Sequence, residues 1–268
     1  LLTKSYYLCT LLMLHIQVKE ANLKQNKILR RLRDGEKAVG IIITFPTEEL
    51  VELMGLAGFD YVQFDGEHGP FTLESIDHLC RVADLGGLTP VARVPNCEPS
   101  TILGFLDRGI TGIMGPHIET REEAQALVNA CLFSPQGSRS WGGGRGTHYN
   151  DTDSIDDVAD GKPTYMQQAN KEMLVMAQIE SVEGLNNLPE ILKVEGLDAL
   201  AYGPNDLAQS MGFVGQPSHN KVQEAMANAT KEIHAAGKKM VFDFMDGIQV
   251  ADLFLDAAKA FARQVRKS

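Results

Sequence analysis

Phe59-Asp60-Tyr61-Val62-Gln63-Phe64-Asp65-Gly66-Glu67-His68-Gly69-Pro70 begins as an apolar, aromatic strand and ends in acid, glycine, acid, histidine and a Gly-Pro stop. Side chains alternate along a strand, so Tyr61, Gln63 and Asp65 share one face and Val62 and Phe64 the other. Asp65 falls where the strand ends and His68 in the loop beyond it. An acid within reach of an imidazole orients it and raises its basicity. The same residues also read as a polar strand end met by solvent, so neighbouring stretches have to decide.

Outward from this stretch, β-branched and apolar runs alternate with segments of helical period. Strands are expected at 38–45, 59–65, 89–94, 110–116, 173–180, 197–203 and 239–242, with a less regular eighth at 247–251. Helices are expected at 26–34, 47–57, 72–85, 99–108, 121–132, 162–171, 184–194, 205–211, 220–236 and 252–265. Residues 134–161, rich in Gly, Ser and Asp, read as a long loop. Strands spaced about 25 residues apart with helices between them argue for a parallel sheet with crossover helices. Eight of them point to an α/β fold of the (β/α)8 TIM-barrel type. A doubly wound open sheet is the alternative.

The chain has 268 residues, 44% hydrophobic and 22% charged, in the range of ordinary globular proteins. Residues 25–268 are expected to form one domain. The run LLTKSYYLCTLLMLHIQV (1–18), apolar but carrying Lys4 and His15, belongs to an extension over 1–24 set apart from the fold. A signal peptide or membrane anchor is its other reading, against which stand the missing basic start and small-residue cleavage site. A net charge of −10 argues against nucleic acid or an anionic membrane as partner. Cys9, Cys80, Cys97 and Cys131 lack Cys-x-x-Cys spacing, so reduced thiols in a cytoplasmic enzyme are expected.

In a barrel, chemistry gathers at the carboxyl ends of the strands. Polar residues found there are Asp65, Glu67 and His68, then Arg93, then Pro116-His117, then Gln178-Ile179-Glu180, then Gly203-Pro204-Asn205-Asp206. Gln178 and Glu180 share one face of an otherwise apolar strand. A carboxylate there needs an ion pair, a hydrogen bond or a metal. With Asp206 from the next strand it suits a hard divalent ion such as Mg²⁺ or Mn²⁺. The competing reading makes Glu180 and Asp206 helix N-caps or partners of Arg93. Arg93 itself reads either as a structural cation or as a fork for a carboxylate or enolate oxygen. Asp107, at a helix end before Gly109, reads as exposed surface. Trp141-Gly142-Gly143-Gly144-Arg145-Gly146 does not sit between strand and helix as a dinucleotide loop must, and reads as a lid or pocket wall. His78, His148, His219 and His234 read as structural or exposed.

Taken in order, AGFDYVQFDGEHGP (57–70), PVARVPN (90–96), LDRG (106–109), Gly137-Ser138-Arg139, VMAQIESVEGLNNLPEIL (175–192) and GLDALAYGPNDLAQSMG (196–212) resemble the HpcH/HpaI aldolases. These are metal-dependent (class II) pyruvate aldolases acting on 4-hydroxy-2-oxo acids such as 4-hydroxy-2-oxoheptanedioate. The resemblance covers about 25–245. It implies Glu180 and Asp206 as metal ligands for Mg²⁺, Mn²⁺ or Co²⁺, and Gln178 as a residue holding metal-bound water and substrate. It implies Arg93 at the pyruvate enolate, and His68 as the catalytic histidine with Asp65 beside it. Asp107 would reach that histidine from a neighbouring subunit, and backbone around Pro204 and Asn205 would receive the substrate carboxylate. Glu67 takes a supporting or metal-water role, and loop 134–161 shapes the choice of aldehyde. It also implies pyruvate and an aldehyde as products and a homohexamer as the assembly. A citrate-lyase-like or malyl-CoA-lyase-like enzyme, and a non-catalytic remnant binding metal and a 2-oxo acid, are the alternatives. The chain departs from the pattern after Phe242, where about one helix is missing and 243–251 runs almost directly into the last helix.

Overall fold

The computed structural model describes residues 23–267. The expected extension over 1–24 thus lies almost wholly outside the described residues. The order is α1 (Lys27–Arg33), β1 (Ala38–Ile43), α2 (Glu48–Leu56), β2 (Tyr61–Asp65), α3 (Leu73–Leu85), β3 (Thr89–Arg93), α4 (Pro99–Leu106), β4 (Gly112–Gly115) and α5 (Arg121–Cys131). A 3-10 segment (Arg145–Asn150) precedes α6 (Thr152–Val158), α7 (Gly161–Lys171), β5 (Leu174–Ile179), α8 (Val182–Asn186), α9 (Leu188–Ile191) and β6 (Ala199–Tyr202). The chain ends with α10 (Pro204–Ser210), α11 (Asn220–Ala235), β7 (Lys239–Met240), α12 (Val241–Phe244), β8 (Met245–Gln249) and α13 (Val250–Lys267). Among the described residues, no helix is long and apolar enough to cross a membrane.

All eight strands pair in parallel, in the order β7-β6-β5-β4-β3-β2-β1-β8. The sequential order lacks the reversal of a doubly wound sheet. The sheet curls, so that residues of β1 to β6 and of 241–249 line one cavity. It does not close, because β7 and β8 are its two ends. The expected closed barrel is therefore corrected to a TIM-barrel-like sheet with an open seam. A parallel crossover takes a dozen or more residues, whereas only the four of α12 join β7 to β8. The strand expected at 239–242 stops at Met240, and the eighth strand is Met245–Gln249 rather than 247–251.

Two apolar layers hold the sheet. Tyr61, Val91, Met114, Leu174, Met176, Ala199, Phe244 and Met245 fill its concave side. The opposite faces of the same strands, Ile41, Val62, Phe64, Ala92, Ile113 and Val175, pack against the helices. Gly40 and Gly247 make room for the Tyr61 ring, into which a Cβ at either position would run. Thr72 with Ser75 and Thr120 with Glu123 close capping boxes at the starts of α3 and α5. Inside the expected loop 134–161, Asp151 caps α6 by accepting from the Ser154 N–H. The helix expected at 184–194 is two short ones, with Pro189 in the first turn of the second, where its missing N–H ends continuity.

Candidate active site

Parallel register sets Asp65 of β2 beside Arg93 of β3. The guanidinium donates from Nε to Asp65 Oδ1 at 2.9 Å and from Nη2 to Oδ2 at 2.6 Å. Its third nitrogen, Nη1, lies 3.1 Å from Glu67 Oε2. Glu67 Oε1 is 3.0 Å from His117 Nε2, and His117 Nδ1 is 3.0 Å from Glu180 Oε1. The His117 backbone N–H donates to that same oxygen at 2.8 Å. Gln178 Nε2 donates to the other, Glu180 Oε2, at 2.5 Å. One chain of contacts thus links Asp65, Arg93, Glu67, His117, Glu180 and Gln178 across the ends of β2, β3, β4 and β5.

Most of these groups are removed from solvent: the side chains of Glu180, Asp65, Glu67 and Arg93 are 2%, 4%, 13% and 17% exposed. Burial pushes the Asp65 carboxyl up, but the hydrogen bonds and charge of Arg93 outweigh it and hold Asp65 below the usual carboxylate range. Burial likewise pulls Arg93 down, and Asp65, Glu67 and Glu180 together raise it. Arg93 therefore stays a cation at every working pH.

The cavity in front of this chain has a volume of about 490 Å³. Gln63, His68, Arg93, Gln178, Asn205 and Asp206 supply polar groups to it. Asp206 lies in the first turn of α10 but caps nothing, since that helix is entered through Gly203 without a side-chain cap. Its carboxylate makes no hydrogen bond or ion pair among the described residues. Ser181, not Glu180, caps α8. Both N-cap readings are thereby set aside. Gly203 brings backbone against Glu180, because a Cβ there would lie 2.8 Å from Glu180 Cβ and 2.9 Å from Gln178 Nε2.

The donor set suits a divalent cation. Ligand atoms of Glu67, His117 and Glu180 lie within 4.8 Å of one another. Glu67 Oε2 is buried and accepts no well-aligned hydrogen bond. Asp206 is not part of that cluster; it brings an unengaged carboxylate to the cavity lined by Arg93, His68 and Gln178.

Three expectations fall differently. Asp65 accepts from the His68 backbone N–H at 3.3 Å, and its carboxylate is occupied by Arg93 rather than by the imidazole. The His68 ring instead points into the cavity, 3.9 Å from Glu67 Oε2. Asp107 is the C-cap of α4 and is half-buried beside Gly142 and Gly144, outside this cavity. Burial raises its carboxyl, against the pull of Arg139 and Arg108. Arg145 and Gly146 wall a different cavity of about 310 Å³ with Thr111 and Met173, which precede β4 and β5. In this chain the glycine loop is therefore a wall at the amino ends of the strands, not a lid over the carboxyl ends. The other histidines among the described residues have partners: His78 meets Glu48, His148 packs on Tyr165, His219 stacks on Phe213, and His234 binds Asp243. His117 was visible at a strand end, but its left-handed backbone, φ +52°, which turns the ring back toward Glu180, is not written in its residue type.

A curled parallel sheet with buried carboxylates, an arginine and histidines at its carboxyl ends defines a TIM-barrel-like class, whose active sites lie at that end of the strands. The model of the HpcH/HpaI aldolase/citrate lyase family matches residues 43–267, and the chain belongs to that family. A 4-hydroxy-2-oxovalerate aldolase of Rhodococcus jostii strain RHA1 is 32% identical over 80% of this chain and 79% of its own. A 4-hydroxy-2-oxo-heptane-1,7-dioate aldolase of Shigella sonnei strain Ss046 is 33% identical over the same shares, 80% and 79%. The crystal structure of an HpcH/HpaI aldolase from Desulfitobacterium hafniense DCB-2 superimposes with a TM-score of 0.78 at 25% identity, over 90% of this chain and 96% of that one.

Proposed function

We propose that the protein cleaves a 4-hydroxy-2-oxo acid to pyruvate and an aldehyde, and catalyses the reverse addition. The observation that carries this is the single cavity that joins Arg93, His68, Gln178 and Asp206 in front of Glu180. Glu180 and Asp206 would hold a divalent cation, with Mg²⁺, Mn²⁺ or Co²⁺ the ions a mostly oxygen site favours. Bound there, the ion supplies Lewis-acid polarisation of the 2-oxo group.

The residues divide the remaining work. His68 takes the proton of the 4-hydroxyl as the C3–C4 bond breaks, and C4 leaves as the aldehyde carbonyl. The bonding electrons pass to C3 and into the enolate, whose oxygen Arg93 stabilises with fixed positive charge. A proton returned to C3 completes the pyruvate methyl. Gln178 fastens Glu180 on one side while His117 fastens it on the other, and such outer contacts orient ligands and tune their basicity. Backbone groups around Pro204 and Asn205 would receive the substrate carboxylate. Asp65 keeps Arg93 aimed and fixes the turn that presents His68.

We further propose that residues 25–268 act as one domain in a homohexamer, with Asp107 serving the His68 of a neighbouring copy. Its place outside the cavity of its own chain supports this. Cys80, Cys97 and Cys131 are free thiols, which supports a cytoplasmic setting.

The test is pyruvate release from a panel of 4-hydroxy-2-oxo acids with Mg²⁺, Mn²⁺ or Co²⁺, read by coupled reduction to lactate. Release that depends on the ion and disappears in Glu180→Gln is the expected result. No release across panel and ions refutes the proposal.

A further inference from the structure

We propose that Glu67, His117 and Glu180 form a second cation site, which takes a nitrogen-preferring divalent ion such as Zn²⁺ and, by claiming Glu180, excludes the ion assigned to Glu180 and Asp206. The site itself stands on the cluster alone; only the exclusion rests on the function proposed above.

Three observations carry it. The first is proximity: two carboxylates and an imidazole from three different strand ends offer ligand atoms within 4.8 Å of one another. Zinc bonds of about 2.0–2.2 Å to nitrogen and oxygen fit inside such a triangle after small side-chain rotations. The second is charge. Asp65, Glu67 and Glu180 bring three carboxylates to one chain of contacts that holds a single permanent cation, Arg93. Buried charge in excess of its partners is costly, and a divalent ion removes the excess. Arg93 answers Asp65 and one oxygen of Glu67, so the shortfall lies between Glu67 Oε1 and Glu180 Oε1, which His117 bridges.

The third is the backbone. His117 sits at φ +52°, a region uncommon for residues other than glycine. Strain of this kind persists where surrounding structure over-determines it, and it gathers at ligand clamps. Here it points both the N–H and Nδ1 of His117 at Glu180 Oε1, at 2.8 and 3.0 Å.

The two sites differ in chemistry. Glu180 with Asp206, completed by water and substrate oxygens, is an oxygen site suited to Mg²⁺ or Mn²⁺. Glu67-His117-Glu180 includes imidazole, which shifts preference toward Zn²⁺. One Glu180 serves only one ion at a time in this arrangement, so the sites compete.

The experiment measures ion binding to the full chain by calorimetry, without substrate, using Zn²⁺ and Mg²⁺ separately. Co²⁺, which suits either site, provides a second readout through the change of its visible absorption when His117 is replaced. His117→Asn is the first variant, because asparagine tolerates a left-handed backbone; Glu67→Gln is the second and leaves the backbone untouched. The expected result is a crossed dependence. Zn²⁺ affinity falls about tenfold or more in His117→Asn and Glu67→Gln, the scale at which even outer ligand contacts register, and stays near wild type in Asp206→Asn. Mg²⁺ affinity falls further in Asp206→Asn, which removes a ligand, than in His117→Asn, which removes only an outer contact to Glu180. Excess Zn²⁺ displaces Mn²⁺ from the wild type, followed by the paramagnetic resonance of freed Mn²⁺. Zn²⁺ affinity that ignores both His117→Asn and Glu67→Gln overturns the site. Mg²⁺ affinity that ignores Asp206→Asn overturns the exclusion together with the ligand assignment of the proposed function.

Discussion

Asp198→Asn removes a charge that the fold disfavours. Asp198 stands just before β6, and its Oδ2 accepts the Val175 N–H at 2.8 Å. Burial pushes its carboxyl up to about 6 from an ordinary 3.8, against the opposing pull of that N–H and of Lys238. Lys238 does not pair with it closely, because Nζ donates to the carbonyls of Val194 and Leu197 at 2.9 and 2.8 Å. A carboxyl raised in the folded state favours folding while it is protonated. That contribution is full below the unfolded value and is lost as pH rises through the folded one. About two pKa units at 1.36 kcal/mol each give about 3 kcal/mol in all. Titration of one group between those limits places about half of it between pH 5 and 7.5. Asparagine keeps the acceptor for Val175 and has no charge to bury. Urea unfolding of wild type and variant at both pH values is the assay. The midpoint of the variant should gain on that of the wild type by roughly 0.5 M from pH 5 to 7.5, for a slope of about 2–3 kcal/mol/M. Activity at pH 7.5 should be unchanged, because Val175 lies five residues, about 16 Å of strand, from Glu180. An offset independent of pH, or a variant less stable at pH 7.5, refutes the reasoning and makes Asp198 a working ion-pair partner of Lys238.

At the other end of the strands, Asp65→Asn should cost about 2–4 kcal/mol, near the low end for breaking a buried pair, because Arg93 keeps Glu67. It should also lower kcat/KM, measured as pyruvate release beside chemical unfolding. Since Asp65 is held below its usual value, the stability it brings is present at neutral pH and is lost as pH falls below about 4; an acid-unfolding midpoint unchanged in Asp65→Asn would refute this. Gly203→Ala should leave circular dichroism intact and weaken Mg²⁺ affinity at least about tenfold by displacing Glu180; unchanged affinity by calorimetry would show that Glu180 has room to move. His234→Ala frees Asp243, which also accepts the Met240 N–H at 2.8 Å. Amide exchange in 240–249 should then quicken while β2 to β5 stay protected; uniform protection would show that the clip carries no load.

Much of the site was legible because strands obey a period of two. The positions of Asp65, Arg93, Gln178 and Glu180 follow from counting residues outward from apolar runs, and parallel register then makes Asp65 and Arg93 neighbours. What the count could not supply was which partner each group would take. Asp65 has both Arg93 and His68 within sequence reach, and the guanidinium wins because it offers two aligned donors and a permanent charge. His117 was one polar residue among several until a left-handed turn aimed it at Glu180. Inside 134–161, a short helix begins at an Asp cap without an apolar stripe long enough to stand out, since only Ile155 of α6 is buried. The seventh strand is too short for periodicity to speak: two residues in β7 contain no alternation at all.

The same shortness decides whether a sheet that fails to close can still hold a site. In the order β7-β6-β5-β4-β3-β2-β1-β8, the strands carrying Asp65, Arg93, His117 and Glu180 occupy the middle, each hydrogen-bonded on both sides. The seam falls at the two ends of the sheet, three strands from β4 on the β7 side and four on the β8 side. What it reaches is the wall of the cavity formed by Phe242, Asp246 and Gln249, and Asp206, whose strand leans on a β7 that pairs through only two positions. A missing crossover should therefore leave the Asp65 to Gln178 chain of contacts rigid and make the Asp206 side the yielding part. If the carboxylates act as proposed, loosened ion binding through Asp206, rather than a disordered His68 or Arg93, is the defect the seam would produce. Added Mn²⁺ should then restore more of the activity than any stabilising change placed among β2 to β5.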